Sequence, residues 1–443
     1  MIDKDVSIRR QTTVSASKWL FVICFLVYAT SYIARGSFSF VRSTMLSDGA
    51  ISIGVAGAIS AAYFIFYAAG QLVNGFLGDR ISPFLMVVVG LSVVVISNIM
   101  MTFVQPQWFY VLWWGINGYG HSMLWSPVFF ILSNVVNTKI RIFSLTAISI
   151  CSPLGKIMSA LVSSAAISDG KWQRVFFVVS MITAAVLLVW VTRYVTLKGK
   201  GQIGLAEDVD RSEDAAEDSS GVARRRIMPL LLVSGVAIML PAMLVHGLFY
   251  NGVVELIPTI LSDQYGMSAS MAAIVDIIIP IMSIAGIFFA NFVYFKIFKK
   301  NDMKSAAFLM TGTIIPIIIM FLLAIFKREG YMIGQYADAV IFVVIYALVY
   351  LLQFAFNHVV IVLLASRFAK YSRAATLSGL ANAINYGGSA ISTYGMTYAL
   401  LRLELWQTVL IWAAVLVFAS ILVLLSTGKW TKFAKKEQFM DIK

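Results

Sequence analysis

Apolar residues run along this chain in long stretches broken by short polar turns. Twelve can be marked, at 19–46, 51–77, 81–103, 107–134, 142–167, 174–195, 229–261, 269–295, 305–326, 337–366, 374–400 and 405–426. A helix needs about twenty apolar residues to cross the hydrocarbon core of a bilayer. The pattern therefore predicts twelve membrane helices and, the count being even, both termini on one side. The first stretch follows a polar leader without a small-residue cleavage site closing it, and reads as a retained helix rather than a signal peptide.

Composition agrees with that reading. The 443 residues are 60% hydrophobic and 12% charged, with a mean hydropathy of +0.86, which excludes a soluble domain of this length. The net charge of +13 is explained by placement rather than by nucleic acid. With a cytoplasmic N-terminus, 26 of the Lys and Arg residues fall on the cytoplasmic side, 6 outside and 2 inside the membrane. This is the positive-inside pattern of a cell-membrane protein with both termini cytoplasmic. Cys24 and Cys151 lie in apolar stretches without metal-ligand spacing, so neither a disulfide framework nor a metal site is indicated. No Walker pattern and no grouped nucleophile, base and orienting residue occur, so no cofactor and no enzyme activity are expected.

The polar stretch 196–228 divides the chain. It is acidic in the middle, ends on Arg224, Arg225 and Arg226, and reads as a flexible cytoplasmic linker. The expected organisation is a tail at 1–18, a six-helix bundle at 19–195, the linker, a second bundle at 229–426 and a basic tail at 427–443. The bundles share sequence: Thr44-Met-Leu-Ser-Asp48 returns as Thr259-Ile-Leu-Ser-Asp263, and Arg141, Ser144, Leu145 and Gly155 align with Arg373, Thr376, Leu377 and Gly387. Parallel six-helix repeats mark secondary transporters with a site between the halves. The first offset places Tyr250 opposite Arg35.

Arg35 stands out because a guanidinium at mid-bilayer costs roughly 2.5–3.5 kcal/mol and ordinarily faces a bundle interior or a wet cavity. Tyr28, Tyr32, Arg35 and Ser39 share one face of their helix; Ser152, Lys156, Ser159 and Ser163 share another; Asn251 and Glu255 share a third beside His246 and Tyr250; and Asn382, Tyr386, Ser389 and Thr393 share a fourth. The candidate binding residues are Arg35, Tyr32, Tyr250, Lys156, Asn251, Tyr386 and Asn382. Glu255 and Asp276 are candidates for proton coupling or for an ion pair with Arg35, and the Ser and Thr stripes equally suit helix packing. Between the second and third helices, Gly75, Asp79 and Arg80 form a motif suited to gating or contact between the halves.

That motif, Gly75-Phe-Leu-Gly-Asp-Arg80, resembles the loop signature of the major facilitator superfamily. Tyr32-Ile-Ala-Arg35, Asn117-Gly-Tyr-Gly, Trp172-Gln-Arg-Val-Phe-Phe, Gly252-Val-Val-Glu-Leu-Ile-Pro-Thr-Ile-Leu and Ser378-Gly-Leu-Ala-Asn-Ala-Ile-Asn-Tyr-Gly-Gly-Ser resemble its organophosphate:phosphate antiporter branch. The resemblance implies two pseudo-symmetric six-helix bundles and exchange of a phosphorylated metabolite for inorganic phosphate. It implies arginines on the first and seventh helices; Arg35 matches the first, and the second position holds Tyr250. A helix-two lysine of glycerol-phosphate members falls at Gln71, and a helix-five histidine near Cys151 or Ser152. One arginine leaves a phosphate ester partly uncompensated, so Lys156 could supply the second cation, or the cargo could be a sugar acid or other carboxylate moved with protons. A receptor of the same fold is the alternative from another class. The expected partners are a small anionic metabolite, phosphate or protons, and the bilayer, with the protein a monomer.

Overall fold

The computed structural model describes residues 12–439 except 79–80, 104, 168–170, 203–225, 268 and 332. The described chain is helical. The first half comprises α1 (Val14–Ser47), α2 (Ile53–Gly78), α3 (Pro83–Met100), α4 (Gln107–Phe130), α5 (Thr138–Ile148), α6 (Cys151–Ala166) and α7 (Gln173–Gly199). The second comprises α8 (Ile227–Ser234), α9 (Val236–Gly247), α10 (Val254–Tyr265), α11 (Ala269–Phe292), α12 (Asp302–Gly312), α13 (Ile314–Arg328), α14 (Gln335–Asn357), the short α15 (Ala365–Arg367), α16 (Ala374–Arg402) and α17 (Leu405–Lys436). Eight stretches are long and apolar enough to cross a membrane, and ten when the bent pairs each count as one. The more polar α4 and α16, of 24 and 29 residues, bring the count to the twelve expected.

Local sequence explains the starts and breaks. Thr13, Asn137 and Asn301 cap α1, α5 and α12 by accepting backbone N–H groups that have no partner within the helix. The seventh span is not one straight helix, as its unbroken apolar pattern suggests. Gly235 takes a left-handed conformation, φ 80°, and the helix turns there by 90°. The fifth span bends by 45° between α5 and α6. Three helices outrun their expected limits, α1 starting at Val14 within the expected tail, α7 reaching Gly199 and α17 reaching Lys436 through the basic tail.

The repeat is visible in the packing. Ser159 Oγ on α6 donates to the Ile33 carbonyl of α1 at 2.9 Å, and Ser392 Oγ on α16 donates to the Leu248 carbonyl at 3.2 Å. Ile33 and Leu248 differ by 215, the offset read from the sequence, while Ser159 and Ser392 differ by 233. A second pair agrees: a Cβ on Gly155 would crowd the Ala29 carbonyl, and one on Gly388 would crowd the Leu244 carbonyl. Gly155 is thus matched by Gly388 rather than by Gly387. The extra residue in α16 falls across the α5–α6 break, which has no counterpart in continuous α16.

The halves meet along α2 and α16. A Cβ on Gly379 would lie 2.6 Å from the Gly75 Cα, so the two helices touch backbone to backbone. Gly75 therefore serves as a contact between halves. Asp79 and Arg80 lie outside the described residues.

Candidate functional site

Arg35 sits in α1 two residues beyond the Ser159-bonded carbonyl, and its side chain turns inward rather than to lipid. Its Nη1 donates to the Tyr386 hydroxyl of α16 at 2.6 Å, which spans the two halves. Five rings surround the guanidinium: Tyr386 at 5.0 Å, Tyr63 at 5.4 Å, Phe64 at 5.6 Å, Tyr67 at 5.8 Å and Tyr32 at 5.9 Å. Aromatic faces attract a cation most strongly when it is desolvated. They leave part of its N–H fork uncommitted, and among the described residues no carboxylate pairs with it. Among the described residues the charge is met by ring faces and one hydroxyl and by no counter-ion.

Two small spaces adjoin this cage. One, of about 10 Å³, lies between Arg35, Tyr63, Tyr67, Ser31 and His121. The larger, of about 30 Å³, has room for one or two waters. Its walls are Tyr28, Tyr32, Trp125, Ser149 and Ser152 from the first half and Tyr250, Phe354, Asn357, Asn382, Asn385 and Tyr386 from the second. Tyr28 and Tyr32 belong to both spaces and join them. The result is one charged pole, supplied by Arg35, and a wall of hydroxyls and amides that can both donate and accept. That chemistry suits an anionic head group joined to a polyhydroxylated body.

On the side where α2 ends and α16 begins, the halves are pinned together. Trp125 Nε1 donates to Ser378 Oγ at 2.6 Å, Ser149 Oγ bonds His358 Nδ1 at 2.8 Å, and the Gly75–Gly379 contact lies beyond them.

The expected residues divide. Arg35, Tyr32, Tyr250, Asn382 and Tyr386 come together. Tyr250 does not face Arg35 directly, because Tyr386 fills that position; Tyr250 instead stacks on Tyr350, with ring centroids 6.0 Å apart and planes at 7°, and lies 5.1 Å from the His246 ring. Asn251 is turned away, its Nδ2 donating to Ser389 Oγ at 2.9 Å, and so holds the Leu248–Val253 turn, a wide π-turn, to α16. Lys156 is half-buried on α6, one turn past the cavity-lining Ser152, and is not part of the cavity wall. The side chains of Glu255 and Asp276 lie outside the described residues. Gln71 is fully buried with its Nε2 on the Ser122 carbonyl, 3.3 Å away, and packs α2 on α4.

Sequence reasoning missed α2. Tyr63, Tyr67, Gln71 and Asn74 recur at helical spacing on one face, and that stripe was the available signal. Trp125, Asn357 and Asn385 were missed as well.

The sequence profile of the Major Facilitator Superfamily matches residues 24–393. The chain belongs to this superfamily. It is a multi-pass membrane transporter, not an enzyme. Among curated relatives it is 26% identical over 163 residues to the "Probable hexose phosphate transport protein" of Chlamydia trachomatis serovar D, covering 37% of this chain and 36% of that protein. It is 27% identical over 108 residues to the protein of the same name from Chlamydia pneumoniae, covering 24% of each. The chain thus matches about a third or less of these relatives' length. Among solved structures, the proton:xylose symporter XylE bound to 6-bromo-6-deoxy-D-glucose superposes with a TM-score of 0.68 at 13% identity, covering 92% of this chain and 95% of that one. A bacterial homologue of the iron transporter ferroportin in the outward-facing state gives 0.67 at 11% identity, covering 92% and 99%. These likenesses establish the superfamily fold.

Proposed function

We propose that this superfamily transporter carries a small organic anion, most closely a hexose phosphate, across the cell membrane by alternating access. The observation that carries this reading is Arg35: a cation held by aromatic faces, with no carboxylate partner among the described residues, at the junction of the two halves and beside a wall of hydroxyls and amides. The similarity to chlamydial proteins named for hexose phosphate transport supports the same cargo class. Exchange for inorganic phosphate, cytoplasmic placement of both termini and a monomeric state complete the proposal. A second reading is favoured by Arg35 being the one cation lining these spaces among the described residues: a monoanionic sugar acid needs no other positive charge.

Uptake by proteoliposomes tests both. Labelled glucose 6-phosphate should enter vesicles preloaded with phosphate, and neither glucose nor gluconate should compete. Competition by gluconate alone would replace the phosphate ester with the carboxylate. Competition by uncharged glucose with equal strength would remove any role for the arginine in recognition.

A further inference from the structure

His246 on α9 is fully buried, and both of its ring nitrogens face side-chain amides: Nδ1 lies 2.9 Å from Gln353 Oε1 and Nε2 lies 3.1 Å from Asn357 Oδ1. A neutral imidazole has one donor and one acceptor, so two carbonyl oxygens satisfy it only once; an imidazolium donates to both. Gln353 is fixed, because its Nε2 donates to Thr313 Oγ1 at 3.1 Å and touches Met310 Sδ at 3.6 Å, which holds Oε1 toward the ring. Asn357 is different. Among the described residues its Nδ2 makes no hydrogen bond, and the residue forms part of the cavity wall. Its amide can therefore rotate, giving Nδ2–H to a neutral ring or Oδ1 to a protonated one.

We propose that His246 is a proton-binding site coupled to anion binding, with the Asn357 amide reporting its protonation to the cavity. With the ring neutral, Nδ1–H donates to Gln353, Nε2 accepts from Asn357, and Asn357 Oδ1 faces the cavity, an acceptor set against an anion. One proton taken up from water forms the Nε2–H bond; Asn357 then turns its oxygen to the ring and its N–H groups to the cavity. The same proton adds a second positive charge beside Tyr250, complementing Arg35 for a dianionic head group, and it leaves when the anion leaves. Among the described residues the aromatic rings against it are Tyr250 and Phe356, of which Tyr250 alone is titratable, and no charged side chain contacts it.

The anion coupling rests on the reading of the cargo given above, so the test has a ligand-free arm and a ligand arm. The chain has 3 histidines, so ring ¹⁵N spectra of labelled protein in nanodiscs resolve each, with His246 assigned by its loss in His246→Gln. At pH 8 and without ligand, His246 should be the Nδ1–H tautomer. It should become an imidazolium as the pH falls, at a lower midpoint in Asn357→Leu, which keeps the ring should His246→Gln misfold. An Nε2–H tautomer at pH 8, or the same midpoint in Asn357→Leu, overturns the proposal. In the second arm, affinity for glucose 6-phosphate should fall about tenfold more between pH 6 and pH 8 in the parent than in His246→Gln or Asn357→Leu, and by reciprocity the sugar phosphate should raise the His246 midpoint. Equal falls in parent and variants, with the midpoint unmoved, overturn the coupling. Failure of the parent to bind glucose 6-phosphate at any pH refutes the sugar-phosphate cargo instead, and the tautomer and its response to Asn357→Leu still decide His246.

Discussion

The two halves use the same joint and place different chemistry on it. In one, Ser159 on α6 grips the Ile33 carbonyl; in the other, Ser392 on α16 grips the Leu248 carbonyl. Two residues farther along each gripped helix stand Arg35 and Tyr250. The first is a cation ringed by aromatic side chains, and the second is an aromatic alcohol stacked on Tyr350 beside the tilted ring of His246. The comparison teaches that a duplicated fold keeps the bonds that set helix spacing, while the residues facing the shared space diverge. Charge is the feature that separates these two positions, and the proposed recognition of an anion rests on the first.

The most direct way to break this asymmetry is Arg35→Lys. The ammonium keeps the charge but loses the planar fork and its fit among the rings. Displacement of a binding group by about 1 Å costs on the order of 100-fold, so glucose 6-phosphate uptake should fall by about that much with membrane level unchanged. Uptake within threefold of the parent would mean that Arg35 acts as a bulk charge. Tyr386→Phe comes next. It removes a hydrogen bond from a charged donor, worth about 1.5–3 kcal/mol, and should weaken affinity by roughly 10- to 100-fold, whereas Tyr250→Phe should stay within about threefold. The reverse order would move the centre of recognition to the second half.

Gly379→Val tests the joint between halves. The added Cβ meets the Gly75 backbone and should favour states open on that side, so Asn382→Cys in the cavity wall should react with a maleimide several-fold faster in its background. An unchanged rate would show that α2 and α16 give way without parting. The smallest effect is also the most symmetrical. Ser159→Ala and Ser392→Ala should each cost about 0.6 kcal/mol, the average for interhelical hydrogen bonds in membranes, and a thermal melt should report equal losses. A several-fold difference between them would end the equivalence of the joints.

Much of this was legible in the sequence, for physical reasons. Apolar runs of bilayer length leave little choice but helices, and the repeated Thr-x-Leu-Ser-Asp falls near the end of a helix in both halves. Arg35 was legible because a guanidinium in a membrane needs a reason to be there. Tyr63, Phe64 and Tyr67 were not, since an aromatic residue in a membrane helix packs against lipid, protein or a cation with equal ease, and only the fold says which. The bend at Gly235 was hidden because both arms are apolar. Asn251 misled because its spacing placed it on a polar stripe, while the wide π-turn rotated it onto Ser389. Gln71 and Asn74, polar residues continuing the face of Tyr63 and Tyr67, were the clue in the sequence that one face of α2 is not lipid-facing, and both are fully buried.

The central cavity, with room for one or two waters, is far smaller than any sugar phosphate. Cargo can therefore bind only to molecules whose halves have parted from this arrangement. Apparent affinity then equals intrinsic affinity multiplied by the fraction so parted, so a protein resting 99% closed would bind roughly 100-fold more weakly than its site allows. Substitutions that loosen the closed side, far from any contact with the cargo, should tighten apparent binding even as they leave every recognition group untouched.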